Sequence, residues 1–534
     1  MTARTLTGGE AVVRALAAHG TDLAFGIPGT HNLEIYRHLA AHGIRHIAPR
    51  HEQGAGYAAD GFARTTGRPG VAITTTGPAL LNIAAAVGQA YSDSVPLLVV
   101  SPGMPLRHPR IASGTLHEMP SQTEAFRQLT GFSHRVSSVE EIGAAIARAF
   151  TSFRTGRPRP AHVEVPLDLL ETAEPAGPLR LAPPHTPPVP RPEAVRAAAT
   201  VLAAARRPAL VLGGGAHGAK AEALELAERL AAPVATTANG KGVFPESHPL
   251  SVGVSLHSPA VQKWLTDCDV VVAVGTELAE SDLWGPTPAL SGTLVRVDLD
   301  PDQMYAALPA GIALVADARV ALRALVDALP AAESATDGGA AALRARRDAE
   351  TAERDARWLP YLAAIRSVLP PTAVLTSDSA QCCYYGALPH LPVEPAGAYL
   401  HPTGFGTLGY ALPAAIGAKA ADPERPVVAL SGDGGLQFTV QELATASDLG
   451  LPLPVVVFDN GGYGEIRDEM AARGFAPVAV DHPRTDLSAL ARAYGGHGVH
   501  AANPAQLADA LRTALTTPGP TVITVDERTE EIAP

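Results

Sequence analysis

The chain has 534 residues, material for three to four units of about 150 residues each, which excludes a single small module. Its 41 Lys and Arg against 53 Asp and Glu leave a formal charge of −12, the wrong sign for a nucleic-acid partner, and 46% apolar content excludes disorder over most of the length. Only 18% of residues are charged, below the roughly 25% of an average soluble chain, which suits a large protein that also buries surface in an oligomer.

In chain order, Met1 to Gly20 carries Arg4, Glu10 and Arg14 in an amphipathic pattern, and no apolar run anywhere reaches the ~18 residues of a membrane span. Leu98 to Val100 reads as a buried strand. Pro175 to Pro192 is too proline-rich for helix or strand and reads as an extended linker. Pro208 to Leu212 is a strand running into Gly213-Gly214-Gly215, with further strands at Val270 to Val274 and Val295 to Leu299. Ala331 to Arg357 reads as a loop in its first half and an exposed, charged helix in its second. Val427 to Leu430 and Pro454 to Phe458 are the last clear strands. Strands alternating with Ala/Leu-rich helical stretches predict an α/β fold of parallel sheets covered by helices, in three units at 1–175, 190–330 and 350–534. The first and third share a plan of strand, Gly-rich turn and helix. Three cysteines, Cys268, Cys382 and Cys383, give neither metal spacing nor a disulfide framework, so a cytoplasmic location is expected.

The sharpest chemistry is in the third unit. After Val427 to Leu430 comes Ser431-Gly432-Asp433-Gly434-Gly435, and after Pro454 to Phe458 comes Asp459-Asn460-Gly461-Gly462-Tyr463-Gly464. A glycine-rich turn at a strand end lets backbone N–H groups approach a phosphate at a helix N-terminus. Asp433 beside a phosphate makes sense if a divalent cation lies between them, and the carboxyl ends of neighbouring strands would bring Asn460 to the same ion. Gly, Asp and Asn also dominate ordinary turns; the joint spacing, with Leu436 to Phe458 between the two motifs, carries the argument.

GDGG, those 23 residues and DNGGYG resemble the fingerprint of thiamin diphosphate enzymes, with Asp459 where the family usually has a first Asn. The resemblance implies Mg²⁺ held by Asp433, Asn460 and the Gly462 carbonyl, with Gly432, Gly434, Gly435 and Tyr463 at the cofactor. It also requires a glutamate facing the aminopyrimidine ring, and Arg50-His51-Glu52 through Ala59-Asp60-Gly61-Phe62-Ala63-Arg64 resembles the segment that supplies it in the acetolactate synthase and 2-oxo acid decarboxylase superfamily. Glu52 is then the proton switch. Gly26 to Leu33 resembles the loop near the reactive carbon, and Thr74 to Asn82 resembles a TSGPG-x-x-N stretch with Ala79 in place of glycine. Gly406 to Pro413 resembles the segment that bends the cofactor, Leu408 by its side chain and Gly406 by its backbone; Gln381 matches a diphosphate-contacting glutamine. By the same resemblance the Glu52 unit of one subunit faces the Asp433 unit of another, so a homodimer is the minimum and a homotetramer is expected. Acetolactate synthases carry FAD in the central unit, but Ser255-Leu256-His257-Ser258 departs from their G-M-H-G stretch, and a structural use of Gly213 to Gly215 is expected, with FAD left open.

Two segments depart from acetolactate synthase. Leu116 to Gln122 resembles decarboxylases, which place histidines there; it offers His117 as a proton relay, with Gln122 beside it. Tyr463 to Asp468 puts Glu465 next to the substrate pocket, where a carboxylate could pair a cationic tail. With the Gly26 to Leu33 loop, these segments resemble a 5-guanidino-2-oxopentanoate (2-ketoarginine) decarboxylase-like subgroup. The expected reaction is non-oxidative decarboxylation of a 2-oxo acid with a polar or guanidino side chain to the aldehyde. Alternatives are an acetolactate synthase-like carboligase, a non-catalytic cofactor-binding paralogue, and a flavin or nicotinamide oxidoreductase.

Overall fold

The apolar runs form three six-stranded sheets in which every neighbouring pair is parallel. They are seen in a computed structural model that describes residues 5–108, 112–175, 177, 179–330 and 339–527. The front sheet is ordered Arg45–Ile47, Leu23–Gly26, Gly70–Ile73, Leu97–Gly103, Ala161–Pro166, Phe132–Arg135. The back sheet is ordered Ala398–Leu400, Val374–Ser377, Val427–Gly432, Leu453–Asp459, Pro520–Asp526, His497–His500. In both, the order by chain position is second, first, third, fourth, sixth, fifth, so the plan shared by the two sequence segments extends to their wiring. Gly70–Ile73, Leu97–Gly103 and Ala161–Pro166 are buried at every residue. This is why they read as continuous apolar runs and not as alternation.

The central sheet is wired differently: Ser251–Val254, Val234–Thr236, Pro208–Leu212, Val270–Val274, Thr293–Asp298, Ile312–Val315. That is the doubly wound dinucleotide-fold order. From residue 179 to Arg191 the proline-rich segment has neither helix nor strand, and Pro192 opens a helix, Pro192–Ala203. The Ala331 to Arg357 expectation needs correcting. Residues 331–338 lie outside the described residues, and the helix, Ala340–Asp355, begins before the middle of the segment and is not simply exposed. Leu343 and Arg347 are buried against the edge strand Ser251–Val254, where the Arg347 guanidinium donates to the Val252 carbonyl. A charged stretch can cover a sheet edge in this way because its long side chains lay their stems over apolar surface. Among the described residues, no helix is long and apolar enough to cross a membrane.

Front and back units meet through two helices of small residues, Glu52–Thr66 and Ala411–Ala421. The first is capped by the His51 ring, which accepts from the Gln53 N–H (3.1 Å), and stops at Gly67, whose left-handed backbone (φ 70°) returns its N–H to the Ala63 carbonyl. A Cβ on Gly61 would strike the Ala414 carbonyl oxygen, and one on Gly417 would strike that of Ala58. The glycines thus let two backbones touch. Arg64, on the same helix, donates to the His401 carbonyl (2.9 Å) and Tyr410 hydroxyl (3.3 Å) of the back unit and to Asn239 of the central unit.

Candidate active site

In a parallel sheet, ligands bind beyond the carboxyl ends of the strands where the strand order reverses. In the front sheet that point lies between Leu23–Gly26 and Gly70–Ile73, and the segments following these strands converge there. The loop after Gly26 is closed by Asn32, whose Oδ1 accepts from Gly29 N (2.8 Å) while its Nδ2 donates to the Ile27 carbonyl (3.0 Å). This presents His31, whose Nδ1 lies 2.5 Å from Thr76 Oγ1. Thr76 Oγ1 is also 3.1 Å from His117 Nδ1, and the two imidazoles meet edge to face at 5.3 Å. Burial, with the nearby His117, holds the His31 pKa below the usual imidazole value.

Gln122 is buried with both ends of its amide on backbone: Oε1 accepts from Gly77 N (2.6 Å) and Nε2 donates to the Pro102 carbonyl (2.8 Å). Gly77 has φ 60°, and the His117 carbonyl oxygen stands 2.6 Å from where its Cβ would be, so glycine is required there. Ala79 sits inside the helix Pro78–Asn82 without a positive φ and carries no strain where the family has glycine.

Glu52 is the first residue of its helix and is buried; its Oε2 accepts from Asn82 Nδ2 (2.9 Å). Burial and then the Glu52 charge push the Tyr36 phenol pKa up. The start of this helix is clamped to the back unit by Glu442, a fully buried carboxylate that accepts from Arg50 N and His51 N (3.1 Å each). Burial raises the Glu442 pKa above the usual carboxylate value.

The back sheet reverses between Val374–Ser377 and Val427–Gly432. Asp378, just past the first of these strands, accepts from Gly409 N at 3.0 Å and Ser431 Oγ at 3.1 Å. It joins the turn holding Gly406 (φ 61°) and the half-buried Leu408 to the turn holding Asp433, and burial raises its pKa to about 6. Asp433 Oδ1 accepts from Asn460 N (3.2 Å). A Cβ on Gly434 would lie 3.0 Å from the Gly462 carbonyl oxygen and 3.1 Å from the Tyr463 ring, so the two motifs of the fingerprint abut. Asn460 Oδ1 is buried with no hydrogen bond among the described residues. Such an oxygen costs about 1–3 kcal/mol unless something is there to accept it. One carboxylate, this amide oxygen and a backbone carbonyl are hard oxygen donors suited to Mg²⁺, so the residues present fit the ion. Asp459, the departure from Asn, accepts from Gly461 N (3.0 Å) and lies 3.9 Å from Arg484 Nε, which balances its charge.

After Gln381 the chain winds as a π-helical turn, Cys382–Ala387, a form often found at functional sites. It brings Tyr385 to Glu465, with Tyr385 Oη donating to Glu465 Oε1 at 2.8 Å. Gln381 Nε2 donates to Glu465 Oε2 (3.0 Å) and Asp468 Oδ2 (2.9 Å). Glu465 and Asp468 are three apart in the helix Gly464–Ala472, hence on one face. Among the described residues neither forms an ion pair; the intervening Arg467 turns away to Asp481 (2.9 Å). The Trp284 ring packs edge-on to Tyr385 at 5.4 Å, and the Arg354 guanidinium lies over the Tyr385 ring at 3.8 Å.

The central glycines have a different use. Cβ atoms on Gly213 and Gly215 would press on Gly275, so the turn serves close strand packing. The second strand of that sheet ends in Thr236-Thr237-Ala238, without the acid that binds a ribose in dinucleotide folds.

His31 lies in the Gly26 to Leu33 loop and Asp468 ends the Tyr463 to Asp468 segment, but neither was expected at the site, nor were Asp378 and Glu442. The i,i+3 spacing from Glu465 was a usable signal for Asp468; the partners of the other three come from distant segments.

Fold and site define a three-domain α/β enzyme with two like-wired sheets that end in ligand-binding turns. The chain belongs to the thiamine pyrophosphate enzyme family: residues 6–126 match its N-terminal TPP binding domain, 195–325 its central domain and 380–525 its C-terminal TPP binding domain. It is 46% identical over 500 residues to a Pseudomonas aeruginosa protein named probable 2-ketoarginine decarboxylase AruI, covering 92% of this chain and 89% of that one. It is 30% identical to the Escherichia coli acetolactate synthase isozyme 1 large subunit (99% and 95% covered) and to a probable acetolactate synthase large subunit of Methanocaldococcus jannaschii (96% and 90%).

Proposed function

We propose that the protein is a thiamin diphosphate- and Mg²⁺-dependent decarboxylase that converts a 2-oxo acid with a guanidino side chain into CO2 and the aldehyde. The observation that carries the substrate class is the Glu465 and Asp468 pair, two carboxylates on one helical face, neither in an ion pair among the described residues and both held by Gln381. A guanidinium has five N–H donors in a plane, enough to reach both carboxylates. The name of the Pseudomonas aeruginosa relative supports the same substrate.

The cofactor, when bound, supplies an electron sink for the pair left behind as CO2 departs. Asp433 and Asn460 would hold Mg²⁺ by their side chains and Gly462 by its carbonyl, with Gly432, Gly434, Gly435, Gln381 and Tyr463 around the diphosphate and Gly406 and Leu408 beneath the rings. Glu52 of the partner subunit would hydrogen-bond the aminopyrimidine, so the working unit is a homodimer at minimum, and two dimers form a homotetramer. His117 would face the reacting carbon, and Gln122, the first residue of the helix Gln122–Arg127, would hold the Gly77 turn beside it.

The test is CO2 release by purified protein with thiamin diphosphate and Mg²⁺ from 5-guanidino-2-oxopentanoate, its ureido isostere, 6-amino-2-oxohexanoate and pyruvate. A preference for the guanidino acid over the neutral isostere of at least tenfold in kcat/KM is expected, with aldehyde as product; equal rates would reject the substrate class. The acetolactate synthases among the relatives favour a second reading, a carboligase, which would give a 2-hydroxy ketone in place of the aldehyde.

A further inference from the structure

We infer that His31, Thr76 and His117 form a hydrogen-bonded relay that delivers the proton replacing CO2, with His31 and Thr76 as the positioning and relaying residues. This rests on the decarboxylase reading. Converting a 2-oxo carboxylate to an aldehyde breaks the C1–C2 bond, forms a C–H bond at C2 and consumes one proton for each CO2 released. A donor must therefore be recharged in every turnover.

The geometry supplies one. Thr76 Oγ1 lies between two Nδ1 atoms, at 2.5 Å from His31 and 3.1 Å from His117. A hydroxyl has a single proton and can donate to only one ring, so at least one imidazole carries its proton on Nδ1, the rarer tautomer; the relay runs with the other ring protonated on Nε2. When the first ring takes a proton from water on Nε2, it passes its Nδ1 proton to Oγ1. Oγ1 passes its own proton to Nδ1 of the second ring, which gives up its Nε2 proton to C2. One proton enters and one leaves; exchange with water and rotation of the hydroxyl restore the start.

The surroundings hold this arrangement in place. Thr76 is buried, and its neighbours Thr74 and Thr75 have buried hydroxyls with no hydrogen-bond partner among the described residues, so of the three threonines Thr76 is the one engaged there. His117 sits in left-handed backbone (φ 64°), a conformation that few non-glycine residues adopt. Gln122, by clamping Gly77, fixes the turn against which the His117 backbone rests.

The first experiment needs no catalysis: ¹⁵N-histidine spectra of the unliganded protein at pH 8, with the two rings assigned by His31→Phe and His117→Phe. One ring is expected as the Nδ1–H tautomer, and Thr76→Val should return it to Nε2–H; two Nε2–H rings in the wild type would overturn the relay. In the loaded enzyme, His31→Gln and Thr76→Val should lower kcat at least about tenfold with KM within about threefold, the low side of what a positioned acid or base contributes. The aldehyde share of product should fall in favour of 2-hydroxy ketone, and Thr76→Ser should restore both. Unchanged kcat and aldehyde share in Thr76→Val would also overturn it. If the wild type shows the tautomer pattern yet releases no CO2 from any 2-oxo acid, the decarboxylase reading fails, and the delivery role goes with it while the hydrogen-bonded pair stands.

Discussion

Gly417→Ala sets two effects of opposite sign against each other. Gly417 lies inside the helix Ala411–Ala421, where alanine should gain about 1 kcal/mol in helix propensity. Its Cβ, however, would land on the Ala58 carbonyl oxygen, with the Ala58 Cα at 2.9 Å, and a helix backbone cannot rotate out of the way as a side chain can. Pushing the helices apart costs about 1–3 kcal/mol, and an approach this close to backbone belongs at the upper end. The net expectation is a loss of about 1–2 kcal/mol, which for a cooperative block of roughly 350 residues, at about 2.1 cal/mol/K each, lowers Tm by about 1–3 °C. Gly143 in the helix Val139–Thr155 is the control, since nothing lies within 4 Å of its Cβ position; Gly143→Ala should raise Tm. Thermal melts of both variants beside the wild type decide it. A Gly417→Ala protein as stable as Gly143→Ala would refute the close helix crossing on which the placement of Glu52 depends.

Glu465→Gln keeps one acceptor oxygen, for Gln381, and turns its amide NH2 to the Tyr385 hydroxyl oxygen while removing the charge; kcat/KM for a guanidino 2-oxo acid should fall about 10–100-fold, the worth of a hydrogen bond to a charged group, while the ureido isostere changes little. Asn460→Ala should leave the melting temperature of the metal-free protein nearly unchanged, because Oδ1 makes no hydrogen bond there, yet raise the Mg²⁺ concentration for half-maximal activity at least about tenfold. Asp378 has its pKa raised by burial to about 6, above the roughly 3.9 of an unfolded aspartate, so between these values the native state binds more protons than the unfolded one. The wild type therefore loses stability from this group as pH rises from about 4 to about 6, and the Tm of Asp378→Asn relative to wild type should move in the variant's favour over that window.

Much of this was legible in sequence because it rests on local signals. Buried parallel strands leave unbroken runs such as Val270 to Val274, and Gly-Asp-Gly-Gly after such a run marks a turn whose glycines have a geometric purpose. The fold class and the family followed from these. The helix Ala340–Asp355 was misjudged because composition does not reveal that Arg347 reaches a strand carbonyl. Glu442, Asp378 and the Thr76 bridge between His31 and His117 were missed for a related reason: each is defined by a partner far along the chain, at Arg50, Gly409 and two separate loops. Ala79, which stands where the resembled stretch has glycine, is not the left-handed position; that is Gly77, two residues earlier.

The contacts of Arg64 bear on how the polypeptide can be divided. A fragment lacking the middle third would deprive this guanidinium of its Asn239 partner, and one lacking the last third would take away the His401 carbonyl and the Tyr410 hydroxyl, each time leaving donors of a largely buried cation unmet beside its remaining ion pair with Asp93 (3.5 Å). Expression of isolated thirds should therefore give insoluble or partly folded material, and any recombination of this chain with a relative must carry all three contacts together or none.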